Sequence, residues 1–412
     1  MQYLSSESLR AAEIASRLAI AEADVLDARK LPNPTVSYQG TTTISGTDTI
    51  GDTIHAVSAG APILLFGQRR ARIDAALARR SASAADIADA RLELVRAGRR
   101  AFAELLAAED RVDAWKETLA DIEQVQTIVV GRAEAGAKSQ YDVERIRLEL
   151  ATDRRDLSDA IARSDSAAGD LAILVGVPGW RPHAIGSLHP HETDTDVDRL
   201  WEHAKATLPA LEAATLGHDA DVAEIEVARR ESYPVPQVTV GEQSTTDPHG
   251  VAISAGISIP LPVFDRNQGE IARKAAEARN SGIQLDVTMR EARARLETAV
   301  AVLRTRREAL AAFERDATAQ VPRLKQMAHA FYDSGEGNIV DLLDALKAIG
   351  EARLDRIDLV DALVPAELDV EAAAGLDVDG VESGAEPGAL AVPGSKSSTG
   401  TGAARAAASV SN

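Results

Sequence analysis

The chain has 412 residues, a formal net charge of −19 and no cysteine. This acidic balance argues against nucleic-acid binding, and the missing cysteines exclude disulfides and thiolate metal sites. No stretch approaches the 18 or so apolar residues of a transmembrane helix. The first five residues also lack the basic end and apolar core of a secretory signal, which taken alone indicates a cytoplasmic protein.

The chain begins with an alanine-rich helix that ends near Lys30. Leu31-Pro32-Asn33-Pro34 stops it, because proline and the residue before it reject helical geometry. Thr35–Ile44 is rich in Thr, Val and Tyr, and Val57, Ala59, Ala61 and Ile63 alternate along Thr53–Ile63. With turn residues at Ser45–Asp48 between these runs, residues 34–63 are predicted to form a pair of strands.

Two very long helices are predicted, at 66–131 and 264–331. In each, small or apolar residues recur every four, then three, positions, and no proline interrupts the second one before Pro322. At 1.5 Å per residue, a helix of about 65 residues is about 100 Å long. An average helix has only about 11–12 residues. A helix of this length must lie against other long helices along one narrow stripe of residues.

Four features recur in order at an offset of about 200 residues. The prolines of 31–34 return at 233–236, Val57-Ser58-Ala59-Gly60 returns at 253–256, Phe66 returns at Phe264, and Gly136 returns at Gly335. This recurrence indicates a duplicated unit. The first predicted unit spans 1–200, with a strand pair 34–63, a long helix 66–131, a shorter helix 139–176 and an irregular link. The second spans 201–374, with a helix 208–232, a strand pair 236–260, a long helix 264–331 and a helix 339–372. A Gly-, Ser- and Pro-rich tail at 375–412 is predicted to be disordered.

The last strand alternates along its whole length. Val251, Ile253 and Ile257 share one face, and small or polar residues occupy the other. A hairpin that caps a helical bundle and a closed barrel built from the strands of several chains are both compatible with this pattern.

Three segments resemble the TolC-like outer-membrane efflux channels, and the second is typical of their cobalt–zinc–cadmium branch. They are Leu31–Pro34, the run Pro260–Gly269, and Tyr332–Gly335 followed by Ile339–Ala345. The resemblance covers nearly the whole chain before the tail. It implies a mostly α protein with a small β part, in which three copies form an α-barrel tunnel topped by a 12-stranded β-barrel.

The resemblance also implies a function and partners. The protein would be a passive duct, not an enzyme, that exports heavy-metal cations from the periplasm. It would work with a periplasmic adaptor and an inner-membrane proton-driven pump of the RND class, while contacting outer-membrane lipid. Such a location requires export, which conflicts with the first residues. An efflux channel for drugs or small organic compounds and a coiled-coil adaptor or cytosolic scaffold are the alternatives.

Asp341 and Asp344 are the candidate gate. Three residues apart on a helix, they share a face, and three copies would bring six carboxylates to one aperture that attracts cations. Acidic residues in the first turn of a helix also simply complement its dipole, and this ordinary interpretation stays open. The resemblance assigns the two residues to the periplasmic constriction.

The resemblance assigns the closure of the tip to Asp142 and Tyr332. Gly136 and Gly335 permit the sharp helix breaks at the tips. A basic partner that is common near this tip in the family is replaced by Gly335-Glu336-Gly337, which leaves the closing bonds open. No metal site or cofactor is predicted, since His189-Pro190-His191 is the only histidine cluster and a solvated loop explains it.

Overall fold

The computed structural model describes residues 8–45, 53–135, 140–177, 179–186, 193–245 and 250–376. The cluster at 189–191, Gly136 and all but the first two residues of the predicted tail lie outside these ranges.

The protein is mostly helical with a small sheet, as predicted. The helices are α1 (Leu9–Ala28), α2 (Gln68–Glu134), α3 (Gln140–Val175), α4 (Val197–Thr207), α5 (Pro209–Glu231), α6 (Gln268–Asp316), α7 (Val321–Asp333) and α8 (Ile339–Ala374). The strands are β1 (Thr35–Thr42), β2 (Thr53–Pro62), β3 (Gln237–Thr245) and β4 (Gly250–Ser258).

The four strands form one antiparallel sheet in the order β1-β2-β3-β4. The two predicted strand pairs are therefore joined, with Pro62 opposite Gln237. Because each strand reverses the last, all four strand ends that lead to helices lie at the same end of the sheet.

The two faces of the sheet differ in chemistry. One face carries small or polar residues, where Ser37, Ser58 and Gly241 are neighbours and a Cβ at Gly241 would lie 2.9 Å from the Cβ of Ser58. The other face carries exposed apolar side chains, among them Val36, Tyr38, Val57, Val240, Ile253 and Ile257, with polar exceptions that include His55, Glu242 and Ser244. The alternation predicted for the last strand thus extends over most of the sheet.

The helices pack side by side into one elongated body. Helix α2 contacts α1, α3, α5 and α8, and α6 contacts α5 and α8. One core cluster joins α4, α5, α6 and α8. Another, the tip cluster, joins α2, α3, α7 and α8 at the end away from the sheet. Within the described residues no helix is both long enough and apolar enough to cross a membrane.

The prediction of an unbroken second long helix is wrong. Helix α6 ends at Asp316, a 3₁₀ turn spans Thr318–Gln320, and α7 begins at Val321. Pro322 explains the break, because its ring replaces the N–H group that would bond to the carbonyl of Thr318 and clashes with that carbonyl. The helix also starts four residues later than predicted, after Asn267 with φ of 59°.

Two further predictions need correction. Helix α4 falls in a segment that was given no helix; the Asp196 side chain caps it by accepting from the Arg199 N–H group, and Leu200 and Trp201 are buried. The buried residues of α2 do not form one narrow stripe either. Leu105, Leu106 and Ala107 are consecutive and all buried, because α2 packs against four helices instead of one.

Candidate functional site: the helical tip

The N-terminus of α8 fixes the position of Asp341. The Asn338 side chain accepts from the N–H groups of Val340 and Asp341, at 2.8 and 3.1 Å. The Asp341 carboxylate in turn accepts from the N–H group of Asn338 at 3.0 Å, which completes a capping box. The ordinary interpretation of Asp341 as a first-turn acid is therefore correct for one of its oxygens.

Asp344 lies one turn further on and is exposed, like Asp341. Between them Leu342 and Leu343 are buried in the tip cluster, so both carboxylates project away from the core of the protomer. Within the described residues neither carboxylate forms an ion pair, and no group of three or more metal-ligating side chains occurs. The arrangement can attract cations but offers no ready-made chelate.

Tyr332, near the end of α7, is 3% exposed and belongs to the tip cluster. The guanidinium of Arg132 lies 4.9 Å from the centre of its ring. Burial raises the pKa of the Tyr332 phenol, Arg132 opposes this rise, and the negative charge of Asp142 adds to it. The charge of Asp142 thus acts on the phenol of Tyr332, the residue with which it was predicted to close the tip.

Arg132 is a residue that the sequence prediction missed. It lies in the last turn of α2 and bonds to the carboxylate of Asp333 at 3.1 Å, which joins the helical hairpin α2–α3 to the helical hairpin α7–α8. A basic partner at the tip was expected to be absent, but α2 supplies one. A signal existed, since Arg132 lies four residues before Gly136 and Asp333 two residues before Gly335, so the two predicted helix breaks place both residues at the same tip.

The turn between α7 and α8 depends on two glycines. Gly335 has φ of 80°, as its predicted role in the break requires. Gly337, which was not singled out, donates to the Phe331 carbonyl at 3.0 Å, and a Cβ there would lie 2.4 Å from the Phe331 ring. Asp142 is half-buried in the first turn of α3, while Gly136 lies outside the described residues.

A second polar layer crosses the bundle nearer the sheet. Lys325 of α7 bonds to Asp121 of α2 at 2.7 Å, and Lys347 of α8 bonds to Glu149 of α3 at 3.3 Å. Asp153 of α3 is buried here, and burial raises its pKa to about 6, with Glu149 adding to the rise. These contacts also join the two hairpins, one layer behind the tip.

The sequence model of the family described as outer membrane efflux protein matches residues 3–177 and 200–376. The chain belongs to this family. Its members are ducts without enzymatic activity, and they form trimers that work with an adaptor and a pump. The protein is accordingly an outer-membrane efflux channel, and the resemblance to TolC-like channels is confirmed. Family membership also sets aside the adaptor and the cytosolic scaffold.

Three known proteins are similar to this chain in sequence or in fold. The cobalt-zinc-cadmium resistance protein CzcC of Cupriavidus metallidurans is 26% identical over 347 residues, which cover 82% of this chain and 80% of CzcC. The pyoverdine export outer membrane protein OpmQ of Pseudomonas aeruginosa is 24% identical over 384 residues, covering 85% of this chain and 78% of OpmQ. The crystallised channel CusC, 18% identical, covers 91% of this chain and 90% of its own with a TM-score of 0.73, which shows a common fold.

Proposed function

We propose that three copies of this chain form a passive duct that carries divalent heavy-metal cations out of the periplasm. An adaptor and an inner-membrane RND pump would deliver the cations to its helical tip. The main observation in support of a duct is the four-stranded sheet. It has two free edges, one mostly apolar face and one face of small or polar residues.

A sheet of this kind is incomplete in a single chain. The edge strands β1 and β4 are exposed along their length, and a long exposed edge with apolar residues invites pairing with another chain. Strands of eight to ten residues are close to the length that spans an outer membrane when tilted. Twelve strands from three chains would close the barrel, with the apolar face toward lipid and the small polar face toward the lumen.

The family match in two successive segments supports the same assembly. Family matches of 175 and 177 residues, at 3–177 and 200–376, are close to the predicted unit of about 200 residues. Two such units in each of three chains would give the tunnel six similar hairpins. The unit boundaries at 200 and 374 are part of this proposal.

The gate is proposed at Asp341 and Asp344. Their carboxylates are exposed, share a face of α8 and lack ion pairs within the described residues. Six such carboxylates around an axis would favour cations over anions. Asp142, Tyr332 and Arg132 would hold the tip closed, with Gly335 and Gly136 at the turns, since an ion pair and a ring contact can break without unfolding a helix.

The choice of cargo rests on relatives. The printed name of CzcC refers to resistance to cobalt, zinc and cadmium, and the family motif Pro260–Gly269 favours that branch. OpmQ exports pyoverdine, an organic compound, and resembles this chain over a similar length. Export of small organic compounds is therefore the second candidate.

Metal sensitivity tests the cargo. A strain without the gene is compared with the same strain complemented by the wild type, on graded cobalt, zinc, cadmium, nickel and copper. The proposal expects lower resistance to at least one metal in the deletion strain, with more of that metal retained in its cells. Equal resistance to all five metals, together with a new sensitivity to an organic compound, would favour the second candidate.

A further inference from the structure

A band of mixed chemistry lies at the end of the sheet where all four strands join the helices. We call it the collar and define it as the ten residues on the helical side of each strand, namely 25–34, 63–72, 227–236 and 259–268. All forty residues belong to the described part of the chain. Neither the tip nor the predicted gate shares any residue with the collar.

The collar is basic in an acidic protein. It carries eight basic and three acidic residues, a net charge of +5, so the other 372 residues carry −24. The basic residues are Arg29, Lys30, Arg69, Arg70, Arg72, Arg229, Arg230 and Arg266, and the acidic ones are Asp27, Glu231 and Asp265. Such a local reversal of sign indicates an anionic partner.

Several of these cations have no carboxylate to neutralise them. Arg29 and Arg266 are exposed and form no ion pair within the described residues. Arg69 donates to the carbonyl of Arg29 at 2.7 Å, which leaves its charge uncompensated. Arg70 is 88% exposed and approaches Asp74 only to 3.7 Å. Internal ion pairs such as Arg72–Glu231 therefore account for only part of the collar.

Apolar residues of the collar are also exposed. Phe264 is 93% exposed, and an open cleft of about 680 Å³ lies beside it, lined by Tyr233, Leu261 and Val263 among others. Tyr233 stacks on Phe66 with ring centres 5.3 Å apart. A water-exposed surface of this kind in a soluble environment would be costly, which indicates contact with something apolar.

The two kinds of residue are layered in the same order in all four segments. Counting away from the strand, the apolar side chains come first and the basic ones follow, as in Ile63 to Phe66 and then Arg69 to Arg72. The segment 259–268 repeats this order with Phe264 before Arg266. Apolar residues next to a membrane-spanning sheet with cations just outside them match the layers of a lipid surface.

We propose that the collar binds anionic phospholipids, with its apolar residues among the upper acyl chains and its arginines among the phosphates. The planar guanidinium suits phosphate because it donates two parallel hydrogen bonds. The inference rests on the proposed membrane-spanning barrel and adds a lipid preference to it. Phosphatidylglycerol is the probe, since it carries one negative charge and a simple headgroup.

Lipid titration of the purified trimer tests the collar. The variant Arg29→Gln, Arg70→Gln, Arg266→Gln is compared with Arg290→Gln, Arg306→Gln, Arg315→Gln, three exposed arginines of α6 that also lack ion pairs in the described chain. Phosphatidylglycerol and phosphatidylcholine with the same acyl chains are titrated in detergent at low salt, and bound lipid is counted by native mass spectrometry.

The wild type is expected to prefer phosphatidylglycerol at least tenfold, and the α6 control should match it. Each arginine near an anionic surface contributes about fivefold to the affinity for that surface. The collar variant, which lacks three arginines, should therefore lose up to about 100-fold in affinity for phosphatidylglycerol. The proposal is overturned if the wild type binds both lipids equally, if the collar variant keeps its preference, or if the control loses as much.

Fluorescence tests the apolar layer separately. Phe264→Trp is reconstituted in vesicles whose acyl chains carry bromine, which quenches nearby tryptophan, and Ile283→Trp on α6 is the control. Additional quenching at position 264 but not at 283 supports the proposal. If a second copy of the chain covers Phe264 in the trimer, quenching is absent at both positions, and the lipid assignment of this layer fails.

Conductance separates this inference from the proposed function. The collar variant should still conduct like the wild type in phosphatidylcholine bilayers, since no collar residue belongs to the predicted gate. A trimer that conducts but shows no lipid preference would refute only the proposal that the collar binds anionic lipid. A protein that conducts in no lipid would refute the proposed duct.

Discussion

Arg132 forms a polar contact between the two helical hairpins at the tip. Its guanidinium contacts the Tyr332 ring and the Asp333 carboxylate, so one side chain of α2 holds the end of α7. A contact over an aromatic ring contributes about 0.5–1 kcal/mol at a partly exposed site, and an exposed ion pair contributes about as much or less. Contacts of this strength can favour a closed tip and can still break when the tip opens.

Arg132→Gln should therefore open the tip without unfolding the protein. We expect a higher single-channel conductance in planar bilayers and a melting temperature close to that of the wild type. Arg132→Lys keeps the charge but not the planar contact, so it should fall between the two. A conductance unchanged in both variants would remove Arg132 from the closing contacts.

The second prediction about single residues concerns Asp341 and Asp344. Asp341→Asn with Asp344→Asn removes both charges, while asparagine at 341 can still accept the capping hydrogen bond. If the carboxylates line the aperture, the preference for cations should fall toward unity, as measured by the reversal potential in a salt gradient. Glu336→Gln, an exposed acid of the same tip, is the matched control and should leave the selectivity unchanged. Unchanged selectivity in the double variant would count against the gate.

Asp153 shows how a helix can carry an unfavourable residue on its packed side. It is 5% exposed, has one carboxylate oxygen without a hydrogen-bond partner, and faces Lys347 of α8 as well as Glu149 and Asp156 of its own helix. Because its folded pKa is raised to about 6, the charged form is disfavoured in the folded protein. The resulting loss of stability is complete above the folded pKa and disappears as the pH falls toward the unfolded value of 3.8.

Asp153→Asn should accordingly stabilise the protein at pH 7.5, by about 1–3 kcal/mol in free energy of unfolding. The advantage over the wild type should shrink between pH 6 and pH 4, since protonation then relieves the wild type as well. Thermal unfolding of the detergent-solubilised protein across this pH range measures it. Asp159→Asn, an exposed acid on the same helix, should change little at any pH, and a stability gap independent of pH would refute the assignment.

Two prolines show that packing around a helix decides whether the helix continues through a proline. Pro322 coincides with the end of α6 and the start of α7, whereas Pro365 stands inside a continuous α8. Both lack the same N–H group, so the local cost is alike. Leu363 and Val370 are buried around Pro365 and hold that helix in place, while Tyr332 is the buried residue of α7. Packing thus overrides the helix break at one proline and not at the other.

At the scale of the whole molecule, the free edges of the sheet predict which strands meet between copies. Strands β1 and β4 of one chain are separated by two others, about 14 Å apart at about 4.8 Å per strand, which is too far for a disulfide within a chain. In a closed barrel, β4 of one copy would instead pair with β1 of the next.

The chain contains no cysteine, so this pairing can be tested cleanly. Gln39→Cys on β1 is combined in turn with a cysteine at Ala252, Ser254 or Gly256 on the same face of β4. At least one pair should give a disulfide-linked trimer on a denaturing gel, and the corresponding single variants should not. Monomers throughout the series would contradict a barrel shared by three copies.

Much of the architecture could be predicted from sequence because it is written in local chemistry. Prolines at 31–34 end α1, the alternation of 251–259 gives β4 its two faces, and the long heptad-like repeats give α2 and most of α6. Asp341 and Asp344 could be placed on one helix face by their spacing alone, and their role at an aperture remains a prediction.

By itself, then, the sequence determined most of the helices, the two strand pairs and the family, since these follow from residues near one another in the chain. Only the tertiary structure decided that the two strand pairs join into one sheet, that Arg132 closes on Tyr332, and that Asp153 is buried. It also gathered the scattered arginines from Arg29 to Arg266 at one end of that sheet. Contacts between residues about 200 or more positions apart depend on how whole helices pack, and no local pattern encodes them.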